Sequence, residues 1–154
     1  MRRRGLIRGG GVQAVEARYW RIYLRDISGS AWPAFYEIEF RAEAGGPDLT
    51  TSGLASTRAA ISTVNNEAGR NDVASAFDSN TGTFVQMKSR DDGQWVSWDF
   101  ASAVSVSQVY VAIWGIVAKA ADIAVECSDD NSTWVEQFRD EAVTYSSDET
   151  LITR

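Results

Sequence analysis

Apolar residues occupy every second position in several segments of this chain, which is the period of a β-strand with one buried face. Strands are predicted at residues 19–24, 36–41, 96–100, 104–114, 123–127, 134–139 and 150–153. The apolar side of the alternating segments consists of Trp20, Ile22, Leu24, Tyr36, Ile38, Phe40, Val96, Trp98, Phe100, Ile123, Val125 and Cys127. These residues are expected to face a shared core.

Turn-forming residues separate the predicted strands, with clusters of Gly, Ser, Asp and Asn at 28–30, 45–48, 91–93 and 129–131. Many short strands with frequent turns predict an all-β fold, an antiparallel β-sandwich or jelly roll. Only one short helix is expected, at 72–77, with Asn71 as its N-cap. The uncharged run 101–118 contains several polar residues, so it is interpreted as a buried strand with its loops rather than a membrane span.

The size and composition of the chain fit one globular domain. It has 154 residues, of which 44% are hydrophobic and 11% aromatic, enough to bury a core. Cys127 is the only cysteine, so no disulfide can form within the chain. The basic residues Arg2, Arg3 and Arg4 precede no apolar stretch, so no secretory signal is expected.

Charge is distributed unevenly between the first residues and the remainder of the chain. Arg2, Arg3, Arg4 and Arg8 lie in a glycine-rich segment, residues 1–16, which is predicted to be a basic arm outside the domain formed by 17–154. The rest of the chain is acidic, which disfavours nucleic acid as a partner. The arm is expected to dock on a neighbouring copy or another acidic subunit, and a solvated tail is the alternative.

The residues needed for common catalytic sites are missing. The chain has no histidine, no GxSxG sequence, no phosphate-binding loop and no CxxC pair. A non-catalytic protein is therefore expected.

A dense group of oxygen-bearing residues follows the predicted helix. Asp78, Asn80, Thr81 and Thr83 lie within six positions, and a hard cation such as calcium needs this kind of oxygen array. The alternative is a turn in which Asp78 caps its own backbone amides and no metal is bound.

Three segments in this order resemble the discoidin-like family of galactose-binding-like β-sandwiches. They are the turn AFDSNTGTF at 76–84, the strand GQWVSWDF at 93–100, and the hairpin 123–134 with its sequence SDDNSTW. Ser79 stands where the family usually has Gly, and Phe84 where it usually has Trp.

The chain also resembles a circular permutant of that family. The sequences ARYWRI at 17–22 and YEIEF at 36–40 are similar to the family's last strands, yet here they come first. Such a permutation implies that strand 19–24 lies beside strand 150–153. The resemblance further implies a calcium site whose ligands, besides Asp78, are the side chains of Glu37 and Thr83 and the carbonyl groups of Ser75, Asn80 and Tyr36.

Lectins of this family bind sugars through loops at one end of the sandwich, using aromatic rings and basic or amide side chains. The corresponding candidates in this chain are Trp32, Asn65, Asn66, Arg70, Lys88, Arg90 and Trp114. Trp114 also fits a core position, and the charged residues also fit solvated loops.

The opening of the chain, YWRI…EIEFR…GGPDL, is similar to domains of bacteriophage virion proteins. The expected function is therefore a structural, decoration or tail-associated protein of a phage particle, made in the host cytoplasm. Its expected partners are other virion subunits or further copies of the chain, with no membrane contact. A carbohydrate-binding module that recognises a cell-surface glycan is the main alternative, and an accessory domain of a glycoside-processing enzyme is another.

Overall fold

Two antiparallel β-sheets form the part of the chain that the computed structural model describes, which comprises residues 15–29, 33–51, 53–57, 72–87, 92–113, 118–141 and 149–153. The strands are β1 (Glu16–Gly29), β2 (Ala34–Arg41), β3 (Leu54–Thr57), β4 (Val85–Gln86), β5 (Gln94–Ser105), β6 (Gln108–Ile113), β7 (Ala118–Ser128), β8 (Val135–Asp140) and β9 (Glu149–Thr153). One sheet has the order β3-β5-β1-β7-β8 and the other the order β4-β2-β6-β9. The predicted all-β sandwich is confirmed.

The core lies between the two sheets, and the alternation in the sequence explains which side chains fill it. Trp20, Ile22 and Leu24 of β1 are fully buried, as are Ile38 and Phe40 of β2. Burial of apolar area of this kind is the main stabilising contribution to the fold.

An aromatic cluster joins both sheets to the short helix. The ring of Phe77 lies 4.6 Å from that of Trp98 and 6.4 Å from that of Phe40, and Phe40 is 6.0 Å from Phe100. Because Phe77 ends the helix and Trp98 belongs to β5, this contact fixes the polypeptide that follows Phe77 against the sandwich.

The predicted pairing of strand 19–24 with strand 150–153 is wrong. β1 pairs with β5 and β7 in the five-stranded sheet, whereas β9 pairs with β6 at the edge of the other sheet. Alternation indicates which side of a strand is buried, and it contains no information about which strands are hydrogen-bonded neighbours.

Three local features also differ from the sequence prediction. The run 104–114 is divided by a turn at Val106 and Ser107, where the Ser107 hydroxyl donates to the Ala42 carbonyl at 2.7 Å. The helix is a 3₁₀ turn, Val73–Ala76, and its N-cap is Asp72 rather than Asn71, because the Asp72 side chain accepts from the Ala74 amide. β3 and β4 were not expected, since both are too short to show a clear alternation.

Within the described ranges, no helix is long and apolar enough to cross a membrane.

Candidate functional site

The loop between the 3₁₀ helix and β4 is closed by the side chain of Asp78. Asp78 Oδ1 accepts from the Asn80 amide at 3.0 Å, and Oδ2 accepts from the Thr83 hydroxyl at 2.7 Å. The Thr83 amide donates to the Asn80 carbonyl at 3.0 Å, and the Gly82 amide donates to Asn80 Oδ1 at 3.0 Å. The loop therefore has the geometry of an aspartate-capped turn.

Glu37 of β2 lies beneath this loop. The register of β2 against β6 shifts between Phe35 and Glu37, which places Tyr36 in a β-bulge, but the pairing is regular from Glu37 to Arg41, so Glu37 is on the face of β2 opposite Ile38 and Phe40. Glu37 is only 2% exposed. The alternation in the sequence places Glu37 on the outer side of β2, so it could not predict this burial, which comes from the covering loop.

The two carboxylates compete for one hydrogen atom. The Asn80 amide donates to Glu37 Oε2 at 3.0 Å and also to Asp78 Oδ1 at 3.0 Å. These two oxygens can therefore be no more than 6.0 Å apart. Glu37 Oε1 is buried and has no hydrogen-bond partner among the residues that the structure describes.

The Thr83 hydroxyl shows the same shortage of hydrogen atoms. Its oxygen lies 2.7 Å from Asp78 Oδ2 and 2.8 Å from the Asn80 carbonyl oxygen, although a hydroxyl group has one hydrogen to donate. One of these close oxygen–oxygen contacts therefore has no hydrogen between the two atoms. Oxygens of Asp78, Asn80 and Thr83 are thus in close contact, and the Asn80 amide connects Glu37 to them. A hard cation needs several oxygens close together in this way.

Burial makes the negative charge of Glu37 unfavourable. Burial is the largest cause, and together with the charge of Asp78 it raises the pKa of Glu37 to about 7. The hydrogen bond from the Asn80 amide has the opposing effect. A bound cation would reverse the effect of burial by stabilising the charged form.

The remaining predicted ligands lie close to the loop in the sequence or the sheet. Ser75 is buried in the 3₁₀ helix, where its amide donates to the Asp72 carbonyl at 3.0 Å. Tyr36 contacts the ring of Phe84 edge-on, with the ring centres 5.5 Å apart. The role of these residues in calcium binding stays a prediction. Among the described residues, no group of three or more His, Cys, Asp and Glu side chains is arranged to hold a metal, so this site would depend on two carboxylates and on neutral oxygens.

Ser79 adopts a left-handed backbone conformation with φ of 57°. Side chains with a Cβ atom are disfavoured there, whereas glycine is not. The loop thus retains the backbone shape that glycine would favour.

A second polar surface, the outer aromatic surface, covers the solvent side of the five-stranded sheet. We define it by Arg21 and Tyr23 of β1, Trp95 of β5, Glu126 of β7 and Trp134 before β8. The Arg21 guanidinium lies 4.2 Å from the centre of the Trp134 ring and 5.6 Å from that of Trp95. Arg21 Nε donates to Glu126 Oε2 at 2.6 Å, which fixes the guanidinium between the rings.

The outer aromatic surface was not among the sequence-predicted sites, although its signal was present. The polar side of the alternation in β1 is Tyr19, Arg21 and Tyr23, and arginine with tyrosine on one face of a strand favours cation–π contacts. The contribution of Trp95 and Trp134 could not be foreseen, because it depends on which strands lie next to β1.

The sequence-predicted sugar ligands Trp32, Asn65, Asn66, Arg70, Lys88, Arg90 and Trp114 lie outside the described residues, as do the arm residues Arg2, Arg3, Arg4 and Arg8. These assignments stay predictions. Comparisons with protein-family models, with curated proteins and with solved structures found no match for this chain.

Proposed function

We propose that this chain is a non-catalytic assembly protein, a structural, decoration or tail-associated component of a phage virion, built on a discoidin-like sandwich that calcium stabilises. The main support for the calcium site is that the oxygen atoms around the buried Glu37 carboxylate outnumber the hydrogen atoms available to them. The assignment to a virion is supported by the sequence resemblance of residues 19–49 to phage virion domains.

The carboxylates of Glu37 and Asp78 would supply the two charged ligands of the calcium ion. The Thr83 hydroxyl would add a neutral oxygen, and carbonyl groups of Ser75, Asn80 and Tyr36 are the ligands that the family resemblance implies. When bound, the ion supplies positive charge between the two carboxylates, so that burial of Glu37 no longer opposes its ionisation. Glu37 belongs to β2 and Asp78 to the loop before β4, so shared ligation would cross-link these elements.

Calcium titration of the thermal unfolding transition tests this site. Above the dissociation constant, the melting temperature should rise with the logarithm of the calcium concentration, because calcium binds the folded state. Asp78→Ala should abolish this response.

Asp130→Ala is the matched control for Asp78→Ala. Asp130 also caps a turn, since its carboxylate accepts from the Ser132 and Thr133 amides at 2.8 and 2.7 Å and from the Thr133 hydroxyl at 3.0 Å. Both substitutions should lower the melting temperature, but Asp130→Ala should retain the calcium response. A wild-type protein without any calcium response would show that the loop is a capped turn only.

The outer aromatic surface favours a second function, carbohydrate binding. Aromatic rings stack on the apolar faces of sugars, while paired donors and acceptors such as Arg21 and Glu126 bond their hydroxyl groups. A glycan array should then show binding that Trp134→Ala removes. Tyr110→Ala is the control, because Tyr110 also lies beneath an arginine, Arg41 at 5.8 Å, but on the other sheet. Binding that both variants lose equally would contradict this function.

A further inference from the structure

A pocket of about 500 Å³ lies at the start of β1, between the ends of β7 and β8. Its apolar lining includes Val15, Ala17, Cys127 and Val135. Val135 pairs with Cys127 across the sheet and so shares the core face with it. Val135 is nevertheless 56% exposed, whereas Cys127 is 4% exposed. The core face of the five-stranded sheet therefore continues into a region that the described part of the second sheet leaves uncovered.

The same pocket has an acidic lining at its edge. Glu16, Asp129 and Asp130 line it, and all three side chains are exposed. Hydrogen bonds from the Thr133 and Ser132 amides hold the pKa of Asp130 far below its usual range, so this carboxylate stays charged at any physiological pH. An occupant that fits this pocket is apolar in its centre and positively charged on either side.

Residues 4–8 of the basic arm have that pattern. Their sequence is Arg-Gly-Leu-Ile-Arg, two adjacent aliphatic residues between two arginines. A volume of about 500 Å³ is in the range of pockets that hold small ligands, and it is sufficient for a few side chains. We infer that this pocket binds residues 4–8 of the arm of a second copy of the chain.

The arm of a second copy is favoured over the chain's own arm because of the position where the arm joins β1. Val15 is part of the pocket lining, and only residues 9–14 connect it to residues 4–8 in the sequence. For residues 4–8 to return there, the chain would have to reverse direction within residues 9–14. Three of these are glycines, which lose the most conformational entropy when they are ordered. The arm of another copy reaches the pocket without this reversal.

This inference deepens the proposed assembly function, and rests on it, by naming the chain itself as a partner. An arm that binds the pocket of another copy closes as a reciprocal pair or a ring, or extends as a filament when the contact does not close. Exposed ion pairs contribute little individually, so the association is expected to be weak and to decrease at high salt.

A charge-exchange experiment on the full-length protein tests the inference by sedimentation velocity. The arm variant is Arg4→Glu/Arg8→Glu, and the pocket variant is Glu16→Lys/Asp129→Lys. The wild type should self-associate, and each variant alone should do so at least about tenfold more weakly. An equimolar mixture of the two variants should associate again, because each arm then meets a pocket of opposite charge.

Glu43→Lys is the control for reversal of a surface charge outside the pocket, since Glu43 is exposed and does not line the pocket. It should leave self-association within about twofold of the wild type. Circular dichroism verifies that all variants fold. A monomeric wild type, or a mixture that does not associate, overturns the inference. The calcium response of the Glu37–Asp78 loop is read separately, so either result can be distinguished from failure of the proposed calcium site.

Discussion

The Glu37 carboxyl group couples the stability of the fold to pH. Its pKa in the folded state is raised from 4.5 to about 7, so the folded state binds a proton more tightly than the unfolded state does. The resulting stabilisation is fully present below pH 4.5 and is lost as the pH rises through 7. Each unit by which the pKa is shifted corresponds to about 1.4 kcal/mol, so the free energy of unfolding should fall by about 3 kcal/mol between these pH values.

Chemical denaturation of the chelator-treated protein at pH 5 and pH 8 measures this effect. Glu37→Gln should remove most of the difference, because glutamine is neutral at both pH values. Calcium should restore the stability of the wild type at pH 8 and not that of the variant. A wild-type difference that persists in Glu37→Gln would assign the effect to other groups.

Ser79 is expected to limit the stability of the same loop through its backbone. Because its φ is 57°, Ser79→Gly should raise the free energy of unfolding by about 0.5–1 kcal/mol. Ser102→Gly is the matched control, since Ser102 is exposed in β5 and has no left-handed conformation. Ser102→Gly should be destabilising, because glycine gives the unfolded chain more conformational entropy than serine does, and this entropy is lost on folding. Equal effects at both positions would contradict the explanation from backbone strain.

At the scale of secondary structure elements, Gly53 determines how closely β3 approaches β5. A Cβ atom on Gly53 would lie 2.3 Å from the Asp99 carbonyl oxygen and 2.5 Å from Trp98 Nε1. Its φ of 151° is also unfavourable for other residues. Gly53→Ala should therefore reduce the free energy of unfolding by about 2–4 kcal/mol, through overpacking and backbone strain together.

Gly45→Ala separates these two contributions. Gly45 has a φ of 71°, but nothing lies within 4 Å of the position of an added Cβ. Gly45→Ala should therefore lower the free energy of unfolding by about 1 kcal/mol, from backbone strain alone. Guanidinium denaturation of both variants measures the difference, and a smaller loss for Gly53→Ala than for Gly45→Ala would refute the steric argument.

The elements differed in how far the sequence could predict them. The alternation in β1, β2, β5 and β7 was sufficient to identify these strands and the buried positions of Trp20 and Ile22, because period and burial have the same physical cause. It could not identify the neighbours of β1, since strand order depends on contacts distant in the sequence. It also could not predict the burial of Glu37, because that burial requires a covering loop from a distant part of the sequence.

At the scale of the whole molecule, residues 2–11 of the arm are expected to contribute nothing to the stability of the sandwich. β1 begins at Glu16, and the buried residues of the first strand start at Ala17. Deletion of residues 2–11 should leave the melting temperature unchanged while it impairs self-association. Differential scanning calorimetry at low protein concentration checks this. Loss of the folded state on deletion would show that the arm belongs to the core.

The position of β1 has a consequence for synthesis of the protein. β1 is made before both of its partners, because β5 begins at Gln94 and β7 at Ala118. At about 5–20 residues per second, translation leaves β1 without either neighbour for several seconds. Throughout that interval the apolar side chains of Trp20, Ile22 and Leu24 are exposed in the nascent chain. The growing polypeptide is therefore expected to depend on chaperones, and to aggregate when translation stops before residue 94.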